Sequence, residues 1–266
     1  MSKIFIGVGH GGGDPGAVGN GLKEKDVNLS IALHLRDELK RHGVTVGISR
    51  TADEDDPTSE EVKECNAFAP DYAVDIHTNA GGGNGFEVYH TLSGGKGKTL
   101  AQNIEAEVAG IGQKSRGLKT RANSAGKDYF GFIRQTKCPA VILECAFIDS
   151  EDARKINTEE KRKAFAVAYA KGILKTLGIA YAAAAQNDTV QAVKQRYDLA
   201  EETMAYLRAY SYADDLLERL AAVHTPGKGA SAEELVRTRF QFAEETMDYL
   251  KAYTYGTELL DRLAAG

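Results

Sequence analysis

The chain has 266 residues, of which 42% are hydrophobic, and its formal net charge is −5. A net acidic balance gives no general electrostatic reason to bind nucleic acid. No stretch approaches the roughly 20 consecutive apolar residues that a membrane helix requires, so no integral membrane segment is expected.

Strand and helix patterns alternate over residues 1–179. The predicted strands are Lys3–Val8, Val44–Ser49, Tyr72–His77, Gly85–His90, Phe130–Arg134 and Ala140–Glu144. The predicted helices are Asp26–His42, Ser59–Ala69, Lys98–Ile111 and one or two helices within Glu151–Leu177. Strands separated by helices of about ten or more residues predict an α/β fold with a mostly parallel twisted sheet flanked by helices.

The composition changes after residue 179. An Ala-rich stretch is predicted as a linker over 180–190, followed by a small all-α domain over 191–266 that contains an internal repeat. Arg196–Ala222 aligns with Arg239–Ala265 at an offset of 43 residues, with 17 of 27 positions identical. Each copy is predicted as two short helices, so the two copies suggest a bundle of about four helices. Residues 223–231, with one proline and two glycines, are predicted as the connecting loop.

Two histidines and a glutamate follow apolar runs in the first domain. His10, His77 and Glu144 each come at or just after the end of a predicted buried strand, and Glu24 follows a glycine-rich stretch. Because the carboxyl ends of parallel strands gather on one edge of the sheet, these residues should meet in one cleft. Two imidazoles and a carboxylate are a typical ligand set for catalytic zinc. A further glutamate beside the ion would be the general base of a zinc hydrolase.

The sequence around these residues resembles a known family. The stretches GHGGGDPGA, IHTNA and ECAFIDSEDA are similar, in order and spacing, to those of the zinc-dependent N-acetylmuramoyl-L-alanine amidases called amidase type 3. The resemblance covers about Lys3 to Ile179. It implies His10, Glu24 and His77 as the ligands of one zinc ion, and Glu144 as the catalytic residue.

The resemblance also implies the substrate, bacterial peptidoglycan, and the bond, the amide between N-acetylmuramic acid and L-alanine. Zinc would polarise the scissile carbonyl while Glu144 takes a proton from water and returns it to the departing amine. Asn79 is a candidate donor to the oxyanion, and Arg134 a candidate substrate contact. Two positions depart from the common family pattern, since Asp75 stands where serine is frequent and Cys145 where glycine is frequent.

Other functions remain open from the sequence. A zinc peptidase of the stem peptide and a non-catalytic wall-binding protein are the alternatives to an amidase. A Cys145 nucleophile is a weaker hypothesis, because strand alternation would point its thiol away from the Glu144 face. In the repeat, the tyrosines either stack on wall sugars or form the bundle core or a dimer seam, and self-association through the repeats is one outcome. The tyrosines concerned are Tyr206, Tyr210, Tyr212, Tyr249, Tyr253 and Tyr255.

The N-terminus shows no signal-peptide pattern, since no apolar segment of about 7–15 residues follows a charged start. Three cysteines without CxxC spacing fit a reducing compartment. We therefore expect synthesis in the cytoplasm and action on the cell wall. With the C-terminal repeat as a candidate wall-binding module, this organisation is typical of a phage or prophage endolysin.

Overall fold

A computed structural model describes residues 2–182, 186–221 and 231–265. The chain divides into two compact units, residues 1–182 and 183–266. Within the described ranges, no helix is long and apolar enough to cross a lipid bilayer.

The first unit alternates strands and helices, as the sequence predicts. Its strands are β1 (Lys3–Val8), β2 (Val18–Gly19), β3 (Leu22–Lys23), β4 (Thr45–Ile48), β5 (Tyr72–Asn79), β6 (Phe86–His90), β7 (Ser115–Lys119) and β8 (Ala140–Phe147). Its helices are α1 (Glu24–Arg41), α2 (Thr58–Phe68), α3 (Gly95–Gly110), α4 (Gly131–Gln135) and α5 (Glu159–Leu177), with a 3₁₀ turn at Glu151–Lys155.

Six strands form one sheet in the order β4-β1-β5-β8-β6-β7. The pairs β1–β4, β1–β5, β5–β8 and β6–β7 are parallel, whereas β6 and β8 are antiparallel. The short strands β2 and β3 form a separate hairpin that leads directly into α1. The predicted α/β fold with a mostly parallel sheet is confirmed.

Helices cover both faces of the sheet. On one face, buried side chains of α1, α3 and α5 pack with those of the strands, for example Leu35, Ile104 and Ile173. On the other face, a smaller cluster joins Phe5 of β1 to side chains of α2 and α4. Burial on two faces explains why the central strands appear in the sequence as continuous apolar runs.

Two local predictions differ from the structure. Phe130–Arg134, predicted as a strand, contains the start of the short helix α4. Phe132 and Ile133 are buried there. This apolar run is too short to show a helical period, and it was therefore predicted as a strand and not as a helix. Strand β7 was not predicted, because Ser115–Lys119 is mostly polar and lies at the sheet edge with partly exposed side chains.

The second unit is entirely helical in its described residues. Its helices are α6 (Gln186–Arg196), α7 (Glu201–Arg208), α8 (Ala213–Ala221), α9 (Ala232–Phe240), α10 (Glu244–Lys251) and α11 (Gly256–Ala265). The prediction of about four helices was too low, because each copy of the repeat has a third helix. Helix α6 ends at Arg196, the first aligned residue of its copy, and helix α9 ends one residue after Arg239, the first aligned residue of the other copy. Helix α6 also begins inside the predicted linker, and most of the predicted loop 223–231 lies outside the described residues.

Tyrosines join the two copies of the repeat within the chain. Tyr206 stacks on Tyr249 and Tyr253, and Tyr210 stacks on Tyr249, with ring centroids 4.3–4.5 Å apart. Tyr212 and Tyr255 remain exposed. Four of the six tyrosines are therefore packed between the copies. Self-association through this unit stays a prediction.

Candidate active site

The site forms at the carboxyl edge of three neighbouring parallel strands. His10 lies two residues beyond the end of β1. His77 lies near the end of β5 and is paired in register with Glu144 on β8. The strand order thus brings together residues separated by more than 130 positions in the sequence.

The carboxylate of Glu24, the first residue of α1, lies between the two imidazoles. Its Oε1 is 3.1 Å from Nδ1 of His77, and its Oε2 is 3.4 Å from Nε2 of His10. Ligand atoms of these three residues all lie within 4.8 Å of one another. Two backbone N–H groups, of Thr78 and Ala17, donate to the same carboxylate at 2.9 and 2.8 Å.

The second nitrogen of each imidazole faces an aspartate. Nδ1 of His10 is 2.8 Å from Oδ2 of Asp14, and Nε2 of His77 is 3.2 Å from Oδ2 of Asp75. A carboxylate on that nitrogen holds the proton there and leaves the other nitrogen as a lone-pair donor, as is common for metal-binding histidines. His10 Nε2 and His77 Nδ1 can therefore each offer a lone pair to a metal ion beside Glu24.

Charge interactions in the site favour the ionised forms of these groups. Burial disfavours an ionised Glu24, but the hydrogen bonds from His10 and His77 outweigh it and hold the pKa of Glu24 well below its usual range. Burial likewise lowers the pKa of His77, but Asp75 and Glu24 raise it well above the ordinary value. The carboxylates thus hold positive charge in this position, which a divalent cation would supply in place of protons.

Glycines allow the close approach of these groups. A Cβ on Gly9 would lie 2.2 Å from Cε1 of His77, so the imidazole packs directly on the Gly9 backbone. A Cβ on Gly16 would lie 2.7 Å from Glu24 Oε2. His10 itself has a φ of 63°, a conformation that non-glycine residues rarely adopt.

A buried arginine supports the loop that carries His10. The guanidinium of Arg50, 2% exposed, donates to the carbonyl oxygens of Val8, Gly9 and Lys25. Lys25 in turn donates to the Gly12 carbonyl and to Asp53. Arg50 and Asp53, in the segment SRTAD (residues 49–53), therefore help to hold the glycine-rich loop in place.

The carboxyl group of Glu144, at this edge, has a pKa shifted toward neutral pH. Burial raises its pKa to about 7, opposed by His77 and reinforced by the carboxylates of Glu24, Asp75 and Glu87. A carboxylate with a pKa near the working pH can accept a proton and release it again.

Glu87 lies opposite Glu144 in the antiparallel pair β6–β8. It is 5% exposed and accepts hydrogen bonds from Arg116 at 2.6 Å, from Asn79 at 3.1 Å and from Tyr89 at 3.2 Å. Glu87 therefore positions the side chain of Asn79 at the end of β5, and the guanidinium of Arg116 compensates the negative charge of Glu87.

Arg134, the other predicted substrate residue, contacts backbone carbonyl groups. Its guanidinium donates to the carbonyl oxygens of Asp128 and Tyr129. Asp128 accepts from Thr91, just after β6, whose end pairs with the beginning of β8. These contacts place Arg134 toward the edge where β8 begins, and its contact with substrate stays a prediction.

Cys145 is completely buried in the helix-covered core, with its Sγ 3.6 Å from the hydroxyl of Thr78. Burial raises the pKa of its thiol to about 12. A buried thiol of that kind is a poor nucleophile, so these contacts give the Cys145 hypothesis no support.

Sequence reasoning did not assign roles to Asp14, Asp75, Glu87 or Arg116. Asp14 lies four residues from His10 in a loop, and Asp75 shares a strand face with His77 at a spacing of two. The spacing on β5 could have pointed to Asp75. The pairing of Glu87 with Arg116 depends on β7, which the sequence did not predict.

Comparison with known proteins identifies the family and supports the fold. The fold and the His–Glu–His cluster define a class of α/β protein with a mostly parallel sheet and a candidate metal centre at the sheet edge. Residues 4–175 match the family of N-acetylmuramoyl-L-alanine amidases, amidase type 3. The chain belongs to this family, and the protein is a peptidoglycan amidase.

Several relatives illustrate the match. The sporulation-specific N-acetylmuramoyl-L-alanine amidase of Bacillus subtilis is 39% identical over 178 residues, which cover 65% of this chain and 67% of that protein. The endolysin of Bacillus phage SPP1 is 33% identical over 190 residues, covering 67% and 68%. The catalytic domain of the amidase CwlV from Bacillus (Paenibacillus) polymyxa superposes with a TM-score of 0.61 at 29% identity, covering 68% of this chain and all of that one.

Proposed function

We propose that the enzyme uses one zinc ion, held by His10, Glu24 and His77, to hydrolyse the amide between N-acetylmuramic acid and L-alanine, with Glu144 as general base. The observation that carries the proposal is the cluster of three donor side chains whose ligand atoms lie within 4.8 Å of one another. Glu144 is the register neighbour of His77 at this cluster.

The donor set fits zinc. Two imidazole nitrogens and one carboxylate oxygen match the three protein ligands of catalytic zinc sites, which keep a further position for water or substrate. The aspartates behind His10 and His77 supply the outer hydrogen bonds that such histidines commonly make.

Zinc, when bound, polarises the scissile carbonyl and lowers the pKa of a nearby water molecule. The carboxylate of Glu144 accepts the proton that this water loses as its oxygen attacks the carbonyl carbon. The protonated Glu144 then donates that proton to the departing amine of L-alanine, so the base is regenerated. A raised pKa of about 7 suits both steps, since the group changes protonation state readily near neutral pH.

We assign Asn79 as an additional donor to the oxyanion. Its amide nitrogen carries two N–H groups, and Glu87 accepts from this nitrogen at 3.1 Å. An amide held by one N–H can direct the other toward the cleft. Its contribution would be smaller than that of the metal.

The test is digestion of purified peptidoglycan with and without a metal chelator, followed by mass spectrometry. Free stem peptides that begin with L-alanine, lost on chelation and restored by zinc, are the expected products. Uncut muramoyl–alanine links with cleavage inside the stem would instead indicate the peptidase alternative. Cleavage unaffected by chelation would contradict the zinc assignment.

We further propose that the helical unit attaches the enzyme to the wall. The family match ends at residue 175, so this unit lies outside it. The relatives named above include both a sporulation amidase and a phage endolysin, and the endolysin role stays a prediction.

A further inference from the structure

The helical unit has an internal twofold relationship. The hydroxyl of Tyr206 donates to the carbonyl of Tyr249 at 2.6 Å, and the hydroxyl of Tyr249 donates to the carbonyl of Tyr206 at 2.6 Å. The Tyr253 hydroxyl lies 3.2 Å from Thr203, and its repeat equivalent Tyr210 lies 3.0 Å from Thr246. Exchange of partners at the 43-residue offset means that the copies are related by an approximate twofold axis.

A cavity of about 390 Å³ lies between the copies, where α7 meets the α10–α11 turn. Two aromatic rings, three carboxylates, a hydroxyl and a guanidinium line most of it. Six of these are Tyr253, Tyr255, Glu202, Glu258, Thr203 and Arg262, and the third carboxylate is Asp198. Concave sites with an apolar wall and a few fixed polar groups are typical small-ligand sites.

The twofold relationship predicts the same cavity a second time. At the 43-residue offset, the six residues become Tyr210, Tyr212, Glu245, Asp215, Thr246 and Arg219. Each of these six residue types is kept, apart from an exchange of Glu258 for Asp215, whereas Asp198 and Leu199, which also line the first cavity, become Gln241 and Phe242.

The contacts around the second set repeat those around the first. Arg262 lies 3.0 Å from Glu258 and donates to the Asp198 carbonyl, while Arg219 lies 2.9 Å from Asp215 and 3.2 Å from the Gln241 carbonyl. The ring pairs also match. Tyr253 and Tyr255 are 5.7 Å apart at 75°, and their equivalents are 5.6 Å apart at 72°.

One ring in each groove is accessible. Tyr255 is 52% exposed and Tyr212 is 68% exposed. Neither is needed to fill the core, so both can offer a flat apolar face to a ligand beside carboxylate acceptors. A pyranose ring is complementary to this arrangement, because it has C–H groups on one face and hydroxyl donors at its edge.

The net negative charge of the helical unit disfavours a polyanionic wall polymer as its ligand. Residues 183–266 carry 14 acidic and nine basic side chains, which accounts for the whole net charge of −5, while residues 1–182 balance at 24 each. A surface of this sign repels phosphate polymers. It tolerates a glycan whose groups bind mainly through hydroxyls and amides.

We propose that the helical unit has two repeat-related saccharide-binding grooves, centred on Tyr255 and Tyr212, that bind the glycan strand of peptidoglycan at two points. This inference rests on the proposed wall attachment and names its ligand and its stoichiometry. Because two linked sites on a repetitive polymer act through a high effective concentration, overall binding should exceed that of either groove by about 100-fold or more.

The test uses the full chain with Glu144→Gln, so that the polymer is not digested. Calorimetry with a peptide-free disaccharide of N-acetylglucosamine and N-acetylmuramic acid, its lactyl carboxyl amidated so that the probe is uncharged, should give two sites per chain. Tyr255→Ala or Tyr212→Ala alone should leave one site, and the double variant none. Sedimentation with sacculi should show a loss of about 100-fold or more for either single variant, which keeps one groove, and a still larger loss for the double variant.

Two controls separate recognition from folding. Tyr255→Phe keeps the ring and should bind as the parent does. Glu202→Gln with Glu245→Gln changes exposed side chains and should weaken disaccharide binding with an unaltered melting temperature.

Distinct outcomes identify which proposal fails. No binding of the parent to sacculi would overturn wall attachment itself. Binding that persists in the double variant, or that only stem peptides inhibit, would overturn the groove proposal alone. Hydrolysis of soluble muropeptides by the otherwise unmodified enzyme should be the same with and without the two tyrosine substitutions.

Discussion

Glu87 and Glu144 lie directly opposite each other in the antiparallel pairing of β6 and β8. Arg116 binds Glu87 at 2.6 Å, and burial raises the pKa of Glu144. One carboxyl of the pair is thus compensated by an arginine and holds Asn79, while the other is left to exchange protons. The difference in their neighbours gives two identical side chains different roles.

Glu144→Gln should lower kcat by about 10²–10⁴-fold, because the amide cannot accept the proton of the attacking water. Zinc content should stay near one ion per chain, since Glu144 is not among the three proposed ligands. Steady-state hydrolysis of a soluble muropeptide and metal analysis on the same sample would measure both. Full activity in the variant would remove Glu144 from the mechanism.

Arg116→Ala should shift the pH dependence of the reaction. Activity requires ionised Glu144, so the rate falls as the pH drops through its pKa. Removing the arginine leaves the Glu87 charge uncompensated opposite Glu144, which raises that pKa and moves the acid limb of kcat/KM upward by roughly 0.5–1 pH unit. Arg116→Lys keeps the positive charge and should retain most of the original profile, whereas an unmoved limb in the alanine variant would contradict the coupling.

Asp75→Asn should weaken zinc binding by about 10–100-fold, because Nε2 of His77 loses its carboxylate partner. Asp14→Asn should have a smaller effect. The side chain of Asp14 is 67% exposed and that of Asp75 only 3%, so water screens the first interaction more strongly. Competition with a chromophoric chelator would rank the two variants, and a larger loss for Asp14 would reverse this reasoning.

Gly9→Ala should abolish high-affinity zinc binding. The added methyl would lie 2.2 Å from the imidazole of His77, so the ring must leave its position. Gly110→Ala is the matched control, since a Cβ there meets nothing within 4 Å at the end of α3. Metal titration of both variants should show a loss only for Gly9→Ala, provided that circular dichroism shows both to be folded.

The sequence by itself determined the alternation of strands and helices in the first unit and the strand-end positions of His10, His77 and Glu144. Those features arise from local patterns, because a buried parallel strand must be a continuous apolar run. The element boundaries were close for α2, which spans Thr58–Phe68 against a predicted Ser59–Ala69. The repeat was equally visible, since a duplicated helical unit keeps the same packing residues in each copy.

Only the tertiary structure decided which groups contact one another. The pairing of Glu87 with Arg116 depends on the sheet edge formed by β7, and the contact of Glu24 with both imidazoles depends on how the β2–β3 hairpin leads into α1. The helical repeat makes the same point, because the sequence could not say whether its tyrosines face sugar, solvent or each other. Side-chain contacts between distant segments are set by strand order and helix packing, and these depend on the burial of the whole core and not on any local period.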